Sequence, residues 1–116
     1  MEGTDAAREA DVSRGAKLRG MAEYSSSGIW VIGGGPKPFR HGMIEHAALR
    51  LPPALAQRFD DWIEAYGTLD DAGTAAFNLV GLQLATELKQ VVGSGVYVEF
   101  VAEALGGGLG ETIPIP

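Results

Sequence analysis

Between Leu51 and Ala102 the apolar positions fall into two helical patterns followed by one strand pattern, and each marks an element. From Pro53 onward, Leu55, Phe59, Trp62, Ile63 and Tyr66 recur at spacings that put them on one stripe of a helix. Pro53 suits the first helical position, where a missing N–H costs nothing, and Gly67 is expected to stop the helix. A second helix, capped by the side chain of Asp70 or Asp71, carries Phe77, Val80, Leu84, Leu88 and Val91 or Val92 at the same period and closes at Gly93. Gly81 and Ala85 lie on or beside that stripe and are small enough to let a neighbouring element approach closely. After Gly95 the period becomes two. Val96, Val98, Phe100 and Ala102 then share one face of a strand, and Tyr97, Glu99 and Val101 share the other.

Upstream, Ile29 to Ile32 reads as a strand that is apolar on both faces, so both faces need cover. Gly33 to Pro38 is a turn by composition, and Phe39 to Glu45 supplies the second arm of a wide hairpin. These elements predict an α+β domain of two layers, in the order β-β-α-α-β. A small, mostly antiparallel sheet of about three strands is covered on one face by two antiparallel helices. Residues 28–105 make this single domain. Residues 1–27 are expected to be a flexible or weakly helical arm, because residues 1–20 offer only Val12 and Leu18 as sizeable apolar side chains after Met1. Met21 offers a second start, which would make residues 1–20 an extension. Residues 106–116, rich in glycine and proline, are expected to be an irregular tail.

Composition is consistent with one modest core: of 116 residues, 46% are hydrophobic and 21% charged, as in ordinary soluble domains. The absence of cysteine rules out a disulfide framework and a thiolate metal site. No apolar run approaches the ~20 residues of a bilayer crossing, and the N-terminus lacks the basic-then-apolar order of a secretion signal. A cytoplasmic location is the expectation. Charge is unevenly placed. The first twenty residues hold four acids and four bases, whereas the remainder has eleven acids against five Lys or Arg, which accounts for the net charge of −6.

Asp60, Asp61, Glu64, Asp70 and Asp71 fall within twelve residues, with Arg58 nearby. Such a cluster is either an ordinary solvated helix face or a field that steers a basic protein partner. Without a basic patch to displace counterions from phosphates, nucleic acid is not an expected partner, and neither is a membrane. His41, Glu45 and His46 look metal-like, but their spacing is one residue away from the helical zinc signatures and Gly42 interrupts it. The glycines at 33–35 and at 106–110 are followed by prolines, not by a helix that could present its N-terminus to phosphate. Ser25, Ser26, Ser27 and Ser94 lack a nucleophile context. Glu99 is either an outward strand glutamate or half of an acid/base couple with Glu45 or a histidine. No catalytic residue, metal or cofactor is assigned.

The order of a strand with Trp30, then Gly42, Met43, Ile44 and Glu45, then Leu49 to Pro52 opening a helix with Leu55, Phe59, Trp62 and Tyr66, continues with Phe77, Gly81, Leu84, Ala85, Leu88, Gly93 and a closing strand. Over residues 28–102 it resembles a group of short uncharacterised bacterial proteins. By size and charge this is similar to immunity proteins of toxin systems and to phage-encoded inhibitors, which implies protein binding. The matching positions are core and turn positions, so the resemblance implies no site residues.

Three functions remain open. One is a non-catalytic module whose acidic face, Asp60, Asp61, Glu64, Asp70 and Asp71, occludes a basic enzyme or toxin. Another is a small ligand- or metal-binding domain or enzyme using His41, Glu45 and His46. The third is a structural homo-oligomer, such as a symmetric homodimer. Contact through an open sheet face bearing Tyr97, Glu99 and Val101 would serve a dimer or another protein.

Overall fold

The computed structural model of the protein describes residues 15–34 and 42–116. Among them, strands β1 (Lys17–Gly20), β2 (Ile29–Gly33), β3 (Gly42–Met43), β4 (Tyr97–Glu103) and β5 (Leu109–Pro114) form one sheet in the order β3-β2-β1-β4-β5. Helices α1 (Pro53–Tyr66) and α2 (Thr74–Val92) lie between β3 and β4 in the chain. The architecture is α+β, but the expected sheet of about three strands is a mixed one of five. β1 runs parallel to β4, and the other pairings are antiparallel.

Both extra strands come from segments in which no strand was expected, the flexible or weakly helical arm and the irregular tail. Lys17-Leu18-Arg19-Gly20 alternates outward and inward, with Leu18 fully buried. Gly20 faces the core, where a Cβ would stand 3.5 Å from the Ala85 methyl and 3.6 Å from the Phe100 ring. This short segment becomes the central strand, because β2 bonds to one of its edges and β4 to the other. The expectation of an arm over 1–27 is therefore corrected from Lys17 onward, and residues 1–14 lie outside the described residues. A chain begun at Met21 would lack the middle of the sheet.

The tail is corrected as well. Gly106, Gly107 and Gly108 all adopt positive φ and reverse the chain, so β5 returns along β4 with Ile113 opposite Phe100 and Thr112 opposite Val101. Ile113 and Ile115 pack against the core. Pro114 is tolerated between them because β5 is an edge strand and the ladder bond is made by the next residue, Ile115 N–H to the Val98 carbonyl at 2.9 Å. The domain thus extends beyond 28–105 at both ends.

The helix pair follows its periodicity. Leu55, Phe59, Trp62 and Ile63 of α1, and Phe77, Leu84, Ala85 and Leu88 of α2, are buried against Leu18, Ile29, Val31, Val98 and Phe100 of the sheet. Trp62 links the layers. Its ring stacks on Phe77 at 4.8 Å, and its indole N–H donates to the Phe77 carbonyl at 3.0 Å, so the buried donor is satisfied. At Gly81 a Cβ would come within 2.6 Å of the Phe100 and Trp62 rings. The missing side chain is what allows α2 to sit this close to both. Pairing of Trp62 with Phe77 and of Arg58 with Glu87 shows that α2 runs antiparallel to α1.

The helix ends differ in part from expectation. α1 starts at Pro53, but Gly67 is right-handed (φ −64°), and the helix runs out through overlapping turns that end at Leu69. Asp70 provides the cap, its Oδ1 accepting from Gly73 N–H at 2.9 Å ahead of α2. Val96, just before β4, and Val98 and Phe100 on it point inward as the alternation predicts.

Candidate functional site

α1 turns its apolar stripe to the sheet, which sends Asp60, Asp61 and Glu64 outward, where all three are exposed. Asp61 accepts from Gln57 one turn earlier at 2.9 Å, and Asp60 lies 4.0 Å from His46 Nδ1. Among the described residues no lysine or arginine pairs with these three acids. The nearest helical cation, Arg58, is committed elsewhere: its guanidinium grips Glu87 of α2 through two bonds, Nη2 to Oε2 at 2.7 Å and Nη1 to Oε1 at 2.8 Å. Both partners are substantially solvated, so this clamp contributes no more than about 1 kcal/mol.

Asp70 and Asp71 belong with the other three in charge but not in task. Asp70 is the cap described above, and Asp71 Oδ1 accepts from Gly106 N–H at 2.9 Å, tying the β4–β5 turn to the start of α2. Both are exposed and add to the local field while serving the fold. The five-residue acidic face therefore divides into three carboxylates on the outside of α1 and two that cap backbone N–H groups.

Beside Asp61 runs a groove of about 440 Å³ between the two helices. Its floor is Trp62, Ala65 and Leu69 from one side and Ala76, Phe77 and Val80 from the other. Asp61 stands on its α1 rim and Asp70 at its turn end, while the Arg58–Glu87 clamp lies at the opposite end. The α2 side is uncharged, because Thr74 to Thr86 contains no acid and no base. Val80 is 41% exposed and Leu79, on the next ridge, 58%. Sequence reasoning assigned Val80 to the buried stripe. The thirteen-residue charge-free run was the signal that α2 has an apolar outer side as well as an apolar core side.

A second concavity, of about 320 Å³, lies where α1 ends, between Tyr24, Tyr66, Glu103 and the turn at Gly106 to Gly108. The Tyr24 and Tyr66 rings are 4.8 Å apart. Burial pushes the Tyr66 phenol up to about 12, helped by its hydrogen bond to Glu103 and by the charges of Glu103, Glu23 and Tyr24. Burial also raises the Glu103 carboxyl and the Glu23 charge adds to this, against the opposing effect of the Tyr66 hydrogen bond. Asn78 fixes this end of β4 by accepting from Glu103 N–H at 2.9 Å and donating to its carbonyl at 3.0 Å.

The sheet face expected to be open is not open where it was predicted to be. Tyr97 is exposed, but Glu99 and Val101 are buried. β1 places Arg19 directly across from Glu99, and Arg19 Nε meets Glu99 Oε2 at 2.7 Å while the Tyr97 hydroxyl donates to Glu99 Oε1 at 2.9 Å. The bond to Glu99 raises the Tyr97 phenol, with partial desolvation and the Glu99 charge adding to the effect and the Arg19 charge opposing it. Glu99 is thus an ion-paired residue of the sheet and not a free contact residue or half of an acid/base couple. Val101 is flanked by Thr112 of β5, a strand the sequence reading lacked.

Of the metal-like trio, His41 lies outside the described residues. Glu45 is exposed in extended backbone before a short 3-10 turn, His46–Leu49. His46 Nε2 is 2.8 Å from the Ser27 carbonyl, an acceptor only, so this nitrogen carries the proton and donates. Only Nδ1 is left to ligate. Among the described residues no group of three or more His, Cys, Asp or Glu is placed to hold a metal ion. Ser27 is buried, its hydroxyl donating to the Ile44 carbonyl at 2.6 Å and accepting from Ile29 N–H at 3.2 Å, which is turn chemistry. Also among the described residues, no helix is long and apolar enough to cross a membrane. No protein-family model matches the chain, and no curated protein matches it significantly in sequence.

Proposed function

We propose that the chain is a non-catalytic binding module that meets a basic protein through the acidic outer face of α1, in the manner of an inhibitor or immunity-type protein. The observation that carries this reading is that Asp60, Asp61 and Glu64 are exposed, adjacent and not paired with Lys or Arg among the described residues, while the local cation Arg58 is clamped to Glu87. Carboxylates that the fold does not neutralise project a field into solvent. That field accelerates the approach of a positive surface and disfavours a negative one. Asp70 and Asp71 strengthen the field from the turn while capping backbone N–H groups, so the contact itself centres on the three acids of α1.

The test is capture of a partner from the native host at low and high salt, using the natural chain and a variant carrying Asp60→Asn, Asp61→Asn and Glu64→Gln. The expected result is a basic partner held at low salt, released at high salt and lost with the variant. A partner retained equally by both chains, or unaffected by salt, contradicts the reading.

A further inference from the structure

We infer that the groove between α1 and α2 is the seat of an amphipathic helix from a partner protein, apolar stripe inward and Lys or Arg along the flank that lies over α1. The inference rests on the protein-binding role proposed above and specifies the form of the partner.

The groove walls are two helices whose backbone N–H and C=O groups are already spent on their own ladders, so they offer no main-chain bonds to a guest. An extended segment pressed onto Trp62, Ala65, Leu69, Ala76, Phe77 and Val80 would bury its own amides without partners, a cost that main-chain bonds from the groove walls cannot offset. A helix brings its backbone already satisfied, and a furrow between antiparallel helices receives a third by ridge-into-groove packing. From Arg58 to Leu69 the groove follows α1 and the turns after it for twelve residues, eleven steps or roughly 16 Å at 1.5 Å per residue, which matches about three turns of guest helix.

Charge fixes the chemistry of its flanks. Asp61 on the rim and Asp70 at the turn end favour cations on the α1 side, with Arg58 at the far end held by Glu87. The α2 side, uncharged from Thr74 to Thr86 with Leu79 and Val80 exposed, favours apolar or neutral residues. A second copy of this chain fits less well, since its own acidic α1 would be brought toward this one.

A displayed library of peptides about 18 residues long, apolar at helical i, i+3, i+4 and i+7 positions and random on both flanks, is selected against the full chain. Binding is then read by Trp62 fluorescence in a Trp30→Phe background. Enriched peptides are expected to carry Lys or Arg on one flank, to lose binding when proline is placed at their centre, and to bind at least tenfold more weakly to Val80→Asp and to Ala76→Asp. Both positions are exposed, and unchanged melting temperatures confirm that those variants fold. Absence of any binder weakened by Val80→Asp, or enrichment of acidic or extended binders, overturns the inference. Basic peptides that need Asp60, Asp61 and Glu64 but ignore Val80→Asp overturn the groove and leave the acidic-face reading standing. Peptides that need Val80 yet bind the charge-neutralised variant equally overturn the charged flank and weaken that reading instead. A micromolar dimer in sedimentation that Val80→Asp dissociates would make the occupant a second copy, and the inference fails.

Discussion

Glu99 on the sheet and the carboxylates of α1 are the same functional group in opposite circumstances. The fold brings Arg19 to 2.7 Å from Glu99 and adds a hydrogen bond from Tyr97, so Glu99 can be buried without stranding a charge. Among the described residues no Lys or Arg pairs with Asp60, Asp61 or Glu64; His46 lies 4.0 Å from Asp60, and all three acids stay in water. Where the structure supplies the counter-charge, the acid belongs to stability; where it leaves the charge open, the acid is available to a partner. The contrast depends on β1, because Arg19 reaches Glu99 only through the parallel pairing of β1 with β4.

The strongest way to break the contrast is to remove β1. A chain beginning at Met21 loses the central strand, leaving β2 and β4 without a shared neighbour and Glu99 without its cation. It is expected to give no cooperative unfolding transition by circular dichroism. A cooperative transition near that of the full chain would show that β1 is dispensable.

Arg19→Ala is a narrower version of the same experiment. It leaves a buried carboxylate unpaired and should destabilise by about 2–3 kcal/mol, less than a fully buried pair because Arg19 is partly solvated. Combining it with Glu99→Gln should recover a good part of that loss in denaturant unfolding, because the stranded charge is gone. A double variant as unstable as the sum of its parts would mean that the pair is not an electrostatic unit.

A smaller effect sits at the Tyr24–Tyr66–Glu103 concavity. Tyr66 holds its proton to about 12 in the folded chain against 10.0 ordinarily, so the folded state binds that proton more tightly than the unfolded state does. The stability this confers is complete below pH 10 and is lost as pH rises from 10 toward 12. Tyr66→Phe should flatten the fall in melting temperature across that window. Equal slopes for the two proteins would remove Tyr66 as the cause. Glu103, also raised, has the same sign at the acid end: what it contributes is present at low pH and lost as the pH rises through the carboxylate range.

The helix pair was legible in the sequence because each helix carries a strong 3.6-residue stripe with Pro53 at one start and Gly93 at one end. The strand alternation of β4 was legible for the same kind of reason. β1 and β5 escaped because each contains glycine and has few apolar side chains: Leu18 alone in β1 has a large buried side chain, and Ile113 of β5 and Ile115 just after it are each followed by proline. Local propensity ranked both as coil, and tertiary pairing overrode it. Mixed sheet order was out of reach, since the parallel partners Arg19 and Glu99 are 80 residues apart.

The site was legible in part. All five acids of the expected face are at the surface, but nothing local distinguished the two that cap backbone N–H groups from the three that do not. Glu99 was misplaced for the reason β1 was missed. The helix–helix groove left a trace in the sequence, the run from Thr74 to Thr86 without a charge, which a surface helix facing only water would not need.

If Asp60, Asp61 and Glu64 are kept for a partner, they are surplus to folding. Denaturant unfolding of the Asp60→Asn, Asp61→Asn, Glu64→Gln variant, at low and high salt, measures this directly. The expected stability equals or slightly exceeds that of the natural chain at low salt, with a weaker response to added salt because mutual repulsion has been relieved. A loss greater than about 1 kcal/mol, beyond what exposed surface substitutions usually cost, would mean that the fold uses these charges itself, and the contrast with Glu99 would collapse.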